Sequence, residues 1–215
     1  MRADAQILVL AKTPVPGRVK TRLCPPCTPE QAATIAAAAL ADTLDVVTAT
    51  PHLVRTLVMD GDHPAPPGWR RVAQRGDTLA DRLACAFLDT QLPHTPTLLI
   101  GMDTPQVSAA LLSYAAAELR AADAVLGFAE DGGWWALGLR EAHHADLLRD
   151  IPTSRPDTGA LTITALLGRR LRVTALPVLR DVDTAVDAHD VAARCAPDSR
   201  FAETVNRVVP KVVTT

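Results

Sequence analysis

The chain has 215 residues, of which 48% are hydrophobic, 21% are charged and only 3% are aromatic. This composition supplies a core built mainly from Ala, Val and Leu, and it excludes a disordered protein. A net charge of -2 argues against a general nucleic-acid-binding protein. Any basic site in this chain must therefore be local.

The beginning of the chain and its hydropathy give no sign of export or of a membrane partner. No window reaches the roughly 18 uninterrupted apolar residues of a membrane span. The first residues, "MRADAQ", carry charges and do not resemble a signal peptide. The sequence therefore predicts a cytoplasmic protein.

Strand and helix signals alternate along the first half of the chain. "QILVLA" predicts a buried strand, and "TPEQ" opens an Ala-rich helix over about residues 29–49. Thr28 is the expected N-cap of that helix, with Pro29 at its first position and Gln31 three residues after the cap. "HLVRTLVM" predicts a second strand. A short strand near residues 70–74 precedes a helix that begins around "DTLADRLACAF".

The same alternation continues to the end of the chain. "TPTLLIGM" predicts a third apolar strand, and "TPQVSAALLSYAAAEL" a helix with Pro105 at its start. Two further strands are predicted at "DAVLGFA" and "WWALGL", which are separated by "EDGG". A helix is predicted at "TGALTITALLGRR", and "LRVTALPV" is the last predicted strand before helices that reach about residue 208. This order predicts an α/β fold with a mostly parallel central sheet in three α/β/α layers, as one domain over 1–215. Ligands of such sheets bind at the carboxyl ends of the strands.

The most basic stretch of the chain directly follows the first strand. In "LAKTPVPGRVKTRL" four cations fall within eleven residues that contain no acid: Lys12, Arg18, Lys20 and Arg22. Pro14, Pro16 and Gly17 stiffen this loop, which lowers the cost of ordering it around a ligand. The pattern indicates a phosphate-binding loop, with a solvated surface loop as the alternative. It matches neither the P-loop nor the dinucleotide-binding fingerprint.

Carboxylates follow two of the later strands. Asp103 comes after "TPTLLIGM", where it either caps the next helix or binds Mg²⁺ together with phosphate oxygens. Asp181 and Asp183 follow the last strand, as a solvated acidic turn or with Asp183 as a second metal ligand. The pair "CPPC" at residues 24–27 lacks two further ligands at matching spacing, so a Pro-stiffened turn is favoured over a metal or redox site.

The segment "EDGGWWALGL" combines a turn with two of the three tryptophans. Asp131, Gly132 and Gly133 form either a plain hairpin connection or a point of close approach for a ligand or another backbone segment. Alternation along the strand sends Trp134 and Trp135 to opposite faces. One of them is then expected in the core and the other beside a pocket.

Four segments, "AKTPVPGRVKTRL", "LLIGMDTP", "EDGGWWALGL" and "LRDVDT", resemble the radical-SAM/selenodomain-associated transferase family, often labelled glycosyltransferase. The resemblance covers about residues 6–190. It implies a GT-A, nucleotide-diphospho-sugar transferase fold and Mg²⁺ or Mn²⁺ as cofactor. It also implies a nucleotide or nucleotide sugar and a small-molecule acceptor as ligands, with no nucleic acid; a homodimer stays open.

The resemblance also implies roles for individual residues. The residues implied to bind the phosphates are Gly17, Arg18, Lys20 and Arg22, to which the basic stretch itself adds Lys12. Gly76 and Asp77 of "QRGDTLADRL" would form a wall for the nucleotide. Asp103 and Asp183 would hold the metal, although "DVDTAVDA" departs from the family segment "DxDTPEDL". Asp103, Asp131 and Asp157 of "RPDTG" would be catalytic, and the acceptor pocket would comprise Gly132, Gly133, Trp134 and Trp135.

Three activities remain open at this point. A break at the sugar carbon makes the protein a glycosyltransferase that releases a nucleoside diphosphate, which the family label favours. A break at the α-phosphorus makes it a nucleotidyltransferase that releases pyrophosphate. "VPGRVKTRL" also resembles the triphosphate-binding loop of a guanylyltransferase of deazaflavin cofactor synthesis, and "GMDTP" offers no D-x-D triplet. A non-catalytic nucleotide-binding module is the third alternative.

Overall fold

The computed structural model describes residues 4–210. Within them lie seven strands: β1 (Ala5–Lys12), β2 (Leu53–Asp60), β3 (Arg70–Ala73), β4 (Thr97–Ile100), β5 (Ala124–Ala129), β6 (Trp134–Leu139) and β7 (Val173–Leu179). The α-helices in the same range are α1 (Pro29–Ala49), α2 (Leu79–Thr90), α3 (Ala109–Ala121), α4 (Thr158–Gly168), α5 (Ala185–Ala192) and α6 (Arg200–Val208). Short 3₁₀ segments occupy Thr21–Leu23 and Ala142–Asp150.

The strands form one sheet in the order β3-β2-β1-β4-β6-β5-β7. Strand β6 is antiparallel to β4 and β5, and the other pairings are parallel. The chain moves outward from β1 through β2 to β3 and then continues on the other side of β1 with β4. The strand order therefore reverses between β1 and β4, where α/β sheets bind ligands. The predicted α/β fold with a mostly parallel sheet is confirmed.

Helices cover both faces of the sheet because neighbouring residues of β1 point to opposite sides. Ile7 packs in the cluster that contains Leu40 of α1 and Leu112 of α3. Leu8 packs in the cluster that contains Phe87 of α2 and Leu166 of α4. The result is the expected three-layer arrangement. That residues 1–215 form a single domain stays a prediction.

Helix α1 begins as its sequence predicts. The Thr28 side chain accepts a hydrogen bond from Gln31 N at 3.3 Å, and the Gln31 side chain accepts one from Thr28 N at 2.8 Å, with Pro29 at the first helical position. Among the described residues it is the one helix long and apolar enough to cross a membrane, and 56% of its most apolar window is buried inside the structure. It is thus the core helix between the sheet and α6, and the cytoplasmic location stays a prediction.

The start of α3 differs from the prediction, and the structure adds detail to the "CPPC" turn. Helix α3 does not begin at Pro105: Ser108 accepts from Leu111 N at 3.2 Å as the N-cap, and the helix starts at Ala109. A side-chain oxygen at Ser108 satisfies a free N–H group, which Pro105 cannot do. In the "CPPC" turn Cys27 is buried beside Leu23, and burial raises the pKa of its thiol; the preference for a Pro-stiffened turn over a metal or redox site stays a prediction.

Candidate functional site

A cleft of about 640 Å³ opens at the carboxyl edge of the sheet. The basic loop that follows β1 (residues 12–22) forms one wall. The β5–β6 hairpin with residues 153–156 forms another, and the segments that follow β4 and β7 form the floor. The predicted site residues that line it are Lys12, Arg18, Lys20, Arg22, Asp103, Asp131, Gly133, Trp134, Trp135 and Asp183.

The basic loop owes its shape to a tight turn. Arg18 N donates to Val15 O at 3.0 Å, with Pro16 and Gly17 at the two central positions. Gly17 has φ 72°, a conformation that glycine adopts without steric cost. Gly17 does not line the cleft, so its part in the predicted phosphate site is to set this turn. The side chains of Lys12 and Arg18 line the cleft, and no ion pair holds either of them within residues 4–210.

Lys20 joins the basic loop to the floor of the cleft. Its side chain is only 8% exposed, and Nζ lies 2.5 Å from Asp103 Oδ1. The same ammonium donates a hydrogen bond to Val182 O. Val182 N in turn donates to Asp103 O at 2.9 Å. The ends of β1, β4 and β7 are therefore tied together at one point, and the basic loop and Asp103 share one cleft.

The carboxylates that follow β7 differ in their surroundings. Asp183 Oδ2 accepts from the Arg22 guanidinium at 2.9 Å. Asp181 Oδ1 is buried and has no hydrogen-bond partner among the described residues. Desolvation first, and then the neighbouring charges of Asp103 and Asp131, raise the pKa of Asp181 to about 7, while Lys20 opposes that shift. Asp181 is thus a buried carboxyl without a hydrogen-bond partner in the described part of the chain, and other carboxylates lie near it.

Asp181 is the site residue that the sequence reasoning did not assign. Its position directly after an apolar strand is the same signal that selected Asp103 and Asp183, and the resemblance to the family segment added support to Asp183 alone. The two acids of "DVD" differ in burial, because an oxygen of Asp181 is buried whereas Asp183 pairs with Arg22. The burial of a residue in an irregular segment cannot be derived from residue spacing.

The hairpin after β5 is shaped by a close backbone contact. Gly132 has φ 89°, and a Cβ there would lie 1.9 Å from Pro156 O, so only glycine allows residues 153–156 to pack against it. Gly132 therefore supports the cleft wall and does not line the acceptor pocket. Asp131 lines the cleft, and its Oδ1 accepts from Gly133 N at 2.8 Å.

The two tryptophans lie on opposite faces of the sheet as the alternation predicts, although both contribute to the cleft lining. Trp135 is 3% exposed, packs closely over Gly127, and donates from Nε1 to Pro177 O at 2.9 Å. Trp134 is half-buried and presents its ring to the cleft lining. Trp135 thus fixes the hairpin to the sheet, and Trp134 is the aromatic surface available to a ligand.

Three other predicted site residues lie outside the cleft lining. Gly76 has φ 124° and packs against Asp81 and Arg82 at the start of α2, and Asp77 is exposed beside it. Asp157 is held by two hydrogen bonds from Arg155, each 2.9 Å long. The Arg155 guanidinium lowers the pKa of Asp157, which weakens it as a general base. A local glycine turn and a local ion pair explain these residues.

The donor set of the floor suits a hard divalent cation. No group of three or more His, Cys, Asp or Glu residues within 4–210 is arranged closely enough to hold a metal by itself. Carboxylate oxygens of Asp103, Asp181 and Asp183 nevertheless line one cleft, with the buried Asp181 oxygen unpartnered. Mg²⁺ and Mn²⁺ accept such oxygens and complete their coordination with water or phosphate oxygens.

The fold is that of nucleotide-diphospho-sugar transferases and cytidylyltransferases. A protein from Desulfovibrio desulfuricans G20, provisionally assigned as a nucleotide-diphospho-sugar transferase, superimposes with a TM-score of 0.84 at 25% identity, covering 95% of this chain and 98% of that one. A cytidylyltransferase from Leptospira borgpetersenii serovar Hardjo-bovis superimposes with 0.55 at 10% identity, covering 100% of each chain. Rv0371c from Mycobacterium tuberculosis H37Rv, in complex with manganese, gives 0.54 at 23%, covering 87% of this chain and 97% of that one.

The chain belongs to the family described as "Uncharacterized protein conserved in bacteria (DUF2064)", which matches residues 34–155, more than half of its length. No curated protein matches the sequence. The family match does not confirm the radical-SAM/selenodomain-associated label, which stays a prediction.

Proposed function

We propose that this protein is a transferase acting on a nucleotide-activated substrate, and that it moves a glycosyl group from a nucleoside-diphosphate sugar to a hydroxyl of a small acceptor. The observation that carries the proposal is the cleft at the switch point of the sheet, where cations and carboxylates from three strand ends meet. Its volume of about 640 Å³ is in the range of small-ligand sites. The similarity to the Desulfovibrio desulfuricans protein supports the same substrate class.

Lys12 and Arg18 are the residues we propose for the diphosphate. Both line the cleft, and within the described part of the chain neither side chain is engaged in an ion pair. Arg22 and Lys20 are already paired with Asp183 and Asp103. Unpaired cations gain most from a phosphate, because no existing ion pair has to be broken.

Asp103, Asp181 and Asp183 are the residues that would hold Mg²⁺ or Mn²⁺. When bound, the ion supplies positive charge that neutralises the diphosphate as a leaving group. Together these carboxylates and Asp131 outnumber the two cations paired with them, and the buried Asp181 oxygen lacks a partner. The buried Asp181 carboxyl, whose pKa is raised to about 7, therefore needs additional positive charge nearby to be fully ionised at neutral pH.

Asp131 is our candidate for the general base. Its carboxylate lies on the hairpin wall, is exposed to the cleft, and is oriented by the Gly133 N–H. A carboxylate in this position can take the proton of an attacking hydroxyl. Trp134 lies on the same wall and offers an apolar ring face on which a sugar or another ring can stack.

The charge of the hairpin wall favours an unphosphorylated acceptor. Within the described residues the one cation lining this wall is Arg155, and Asp157 binds it through both oxygens. Asp131 adds a negative charge to the same wall. A phosphorylated acceptor would meet repulsion there without a free cation in compensation.

Nucleotidyl transfer is the second candidate. It is favoured by the density of cations on the first loop, which would suit a triphosphate, and by the shared fold with a cytidylyltransferase. The two candidates differ in the bond broken and hence in the released product, a nucleoside diphosphate or pyrophosphate.

A ligand panel with product analysis tests the proposal. Nucleoside-diphosphate sugars and nucleoside triphosphates would each be added with and without Mn²⁺, and thermal stability and released diphosphate or pyrophosphate measured. We expect stabilisation by at least one nucleotide sugar and release of its nucleoside diphosphate. A response to triphosphates alone, with pyrophosphate release, would replace glycosyl by nucleotidyl transfer. Binding with no turnover of either class would indicate a non-catalytic module.

A further inference from the structure

We propose that Lys20 competes with a divalent cation for the Asp103 carboxylate, so that the cleft binds metal weakly until phosphate groups are present to receive the Lys20 ammonium. This inference rests on the proposed function, because it concerns the same carboxylates. It differs from the sequence-based expectation, in which Lys20 simply binds phosphate.

The first observation is that Lys20 already fills the role of a cation on the floor of the cleft. Nζ lies 2.5 Å from Asp103 Oδ1 and also donates to Val182 O, with the side chain only 8% exposed. The Lys20 backbone has φ 48°, in the left-handed region that non-glycine residues rarely adopt. The loop is thus held in an uncommon conformation that directs this side chain inward.

The second observation is that Asp103 remains accessible from the cleft. Its side chain is 50% exposed although one of its oxygens pairs with Lys20. A cation that approached this open side would face the Lys20 ammonium across a single carboxylate. Repulsion between the two positive charges follows directly from their separation in a partly desolvated site.

The third observation concerns what Lys20 loses when it leaves Asp103. An ammonium that is largely removed from water needs a partner of opposite charge. The acceptors that hold it are Asp103 and the Val182 carbonyl. A diphosphate placed between the basic loop and the floor would provide a new partner for Lys20. Metal and phosphate therefore assist each other's binding, and by linkage the assistance is equal in both directions.

Lys12 supplies a matched control. The chain has three lysines, Lys12, Lys20 and Lys211. Lys12 lines the same cleft, but no ion pair with Asp103 or another carboxylate holds it within residues 4–210. The substitutions Lys20→Met and Lys12→Met each remove one positive charge from the cleft, and only the first removes the competitor at Asp103.

The test is a titration of each full-length variant with Mn²⁺ alone, followed through the electron paramagnetic resonance signal of the free ion. We expect Lys20→Met to bind Mn²⁺ about tenfold or more tightly than the unmodified chain, because one repulsive charge next to Asp103 is gone. Lys12→Met should stay within about twofold, because Lys12 makes no ion pair with Asp103 and its charge is screened by solvent. Unchanged or weaker binding by Lys20→Met, or an equal gain in both variants, would overturn the proposal.

A second measurement needs no substitution at Lys20. The unmodified protein would be acetylated briefly with and without Mn²⁺, and the labelling of Lys20 and Lys12 compared by mass spectrometry. We expect Mn²⁺ to increase Lys20 labelling several-fold while Lys12 labelling hardly changes. Mn²⁺ binding without an increase at Lys20 would overturn the competition alone. If no variant bound Mn²⁺, even with inorganic pyrophosphate added, the metal requirement of the proposed function would fail as well.

Discussion

The two edges of the central sheet differ in how the charged side chains there are paired. At the amino edge, Arg55 donates to three carbonyls at the end of α1, Arg140 donates to the carbonyls of Arg120 and Ala122, and Arg172 binds Asp123. At the carboxyl edge, Lys12 and Arg18 are unpaired within the described residues and the Asp181 oxygen is buried without a partner. The charged groups named at the amino edge are thus paired, whereas those named at the carboxyl edge lack a partner within the described residues.

The difference separates charged groups that stabilise the folded protein from charged groups that are positioned to bind a ligand. The pairing with Arg172 lowers the pKa of Asp123 to about 2, which means that folding favours its charged form. Burial and like charges raise the pKa of Asp181 to about 7, so folding disfavours its charged form. Groups that weaken the folded state persist where a ligand compensates them, which is typical of functional sites.

The largest expected effect is the loss of turnover when the proposed general base at the carboxyl edge is replaced. Asp131→Asn should lower turnover by about 10²–10⁴-fold, the usual range for loss of a general base. Nucleotide affinity should remain nearly unchanged, because Asp131 lies on the acceptor wall. Steady-state kinetics and calorimetry on the same preparation measure both quantities.

The matched control for Asp131 is Asp157→Asn. Asp157 is bound by Arg155 and lies outside the cleft lining, so this variant should turn over at close to the original rate. A large loss in Asp157→Asn with none in Asp131→Asn would reverse the two assignments.

The next effect concerns the unpaired cations. Lys12→Met and Arg18→Met should each weaken nucleotide binding by about 10–100-fold, because each loses a charge-assisted hydrogen bond to phosphate. Isothermal calorimetry with the nucleotide selected by the ligand panel gives the affinities. Arg70→Met, an exposed cation of β3 outside the cleft, is the control and should bind normally. If all three variants bound the nucleotide as tightly as the unmodified chain, the basic loop would have no role in binding.

The contrast in stability can be tested at Asp181. Its raised pKa means that the stabilising contribution is fully present below the ordinary value of 3.8 and is lost as pH rises through about 7. Asp181→Asn removes that loss, so we expect its free energy of unfolding at pH 8 to exceed that of the original chain by about 1–3 kcal/mol. Urea unfolding at pH 5 and pH 8 without divalent cations measures it. A variant that is less stable at pH 8 would show that the Asp181 carboxylate is satisfied after all.

The smallest effect is expected at the amino edge. The lowered pKa of Asp123 means that its contribution is present above the ordinary value of 3.8 and is lost as pH falls through about 2. Asp123→Asn should therefore be slightly less stable than the original chain at pH 6, and the difference should disappear near pH 2. Solvent screening of this exposed pair keeps the effect small. Thermal unfolding across this pH range measures the difference, and an unchanged melting temperature at pH 6 would remove the contrast between the edges.

Local signals in the sequence predict much of the fold. Thr28, Pro29 and Gln31 define the start of α1, because a cap and its reciprocal bond involve residues three positions apart. Ser108 displaced the predicted start of α3 for the same local reason. The insertion of antiparallel β6 between β4 and β5 is not readable, because it depends on pairing between distant strands.

The candidate site likewise has some features that local sequence predicts and others that depend on distant contacts. The ends of apolar strands point to Asp103, Asp131 and the basic loop as groups near one edge of the sheet. The contact between Lys20 and Asp103 joins residues that are far apart in the chain, and the pKa of Asp181 is shifted by its burial and by four charged side chains that the fold brings near it. Neither follows from spacing. Gly76 was selected by the family resemblance and Gly132 by the pair of adjacent glycines in its turn, and close packing against neighbouring residues explains both instead.

A crystal structure of the protein with Mn²⁺ and the nucleotide that stabilises it most would test the central claim directly. We expect anomalous density for Mn²⁺ at the carboxylate of Asp103, and phosphate oxygens between that ion and the side chains of Lys12 and Arg18. A nucleotide bound away from the carboxyl edge of the sheet, or phosphates that contact neither the basic loop nor Asp103 through the ion, would contradict it.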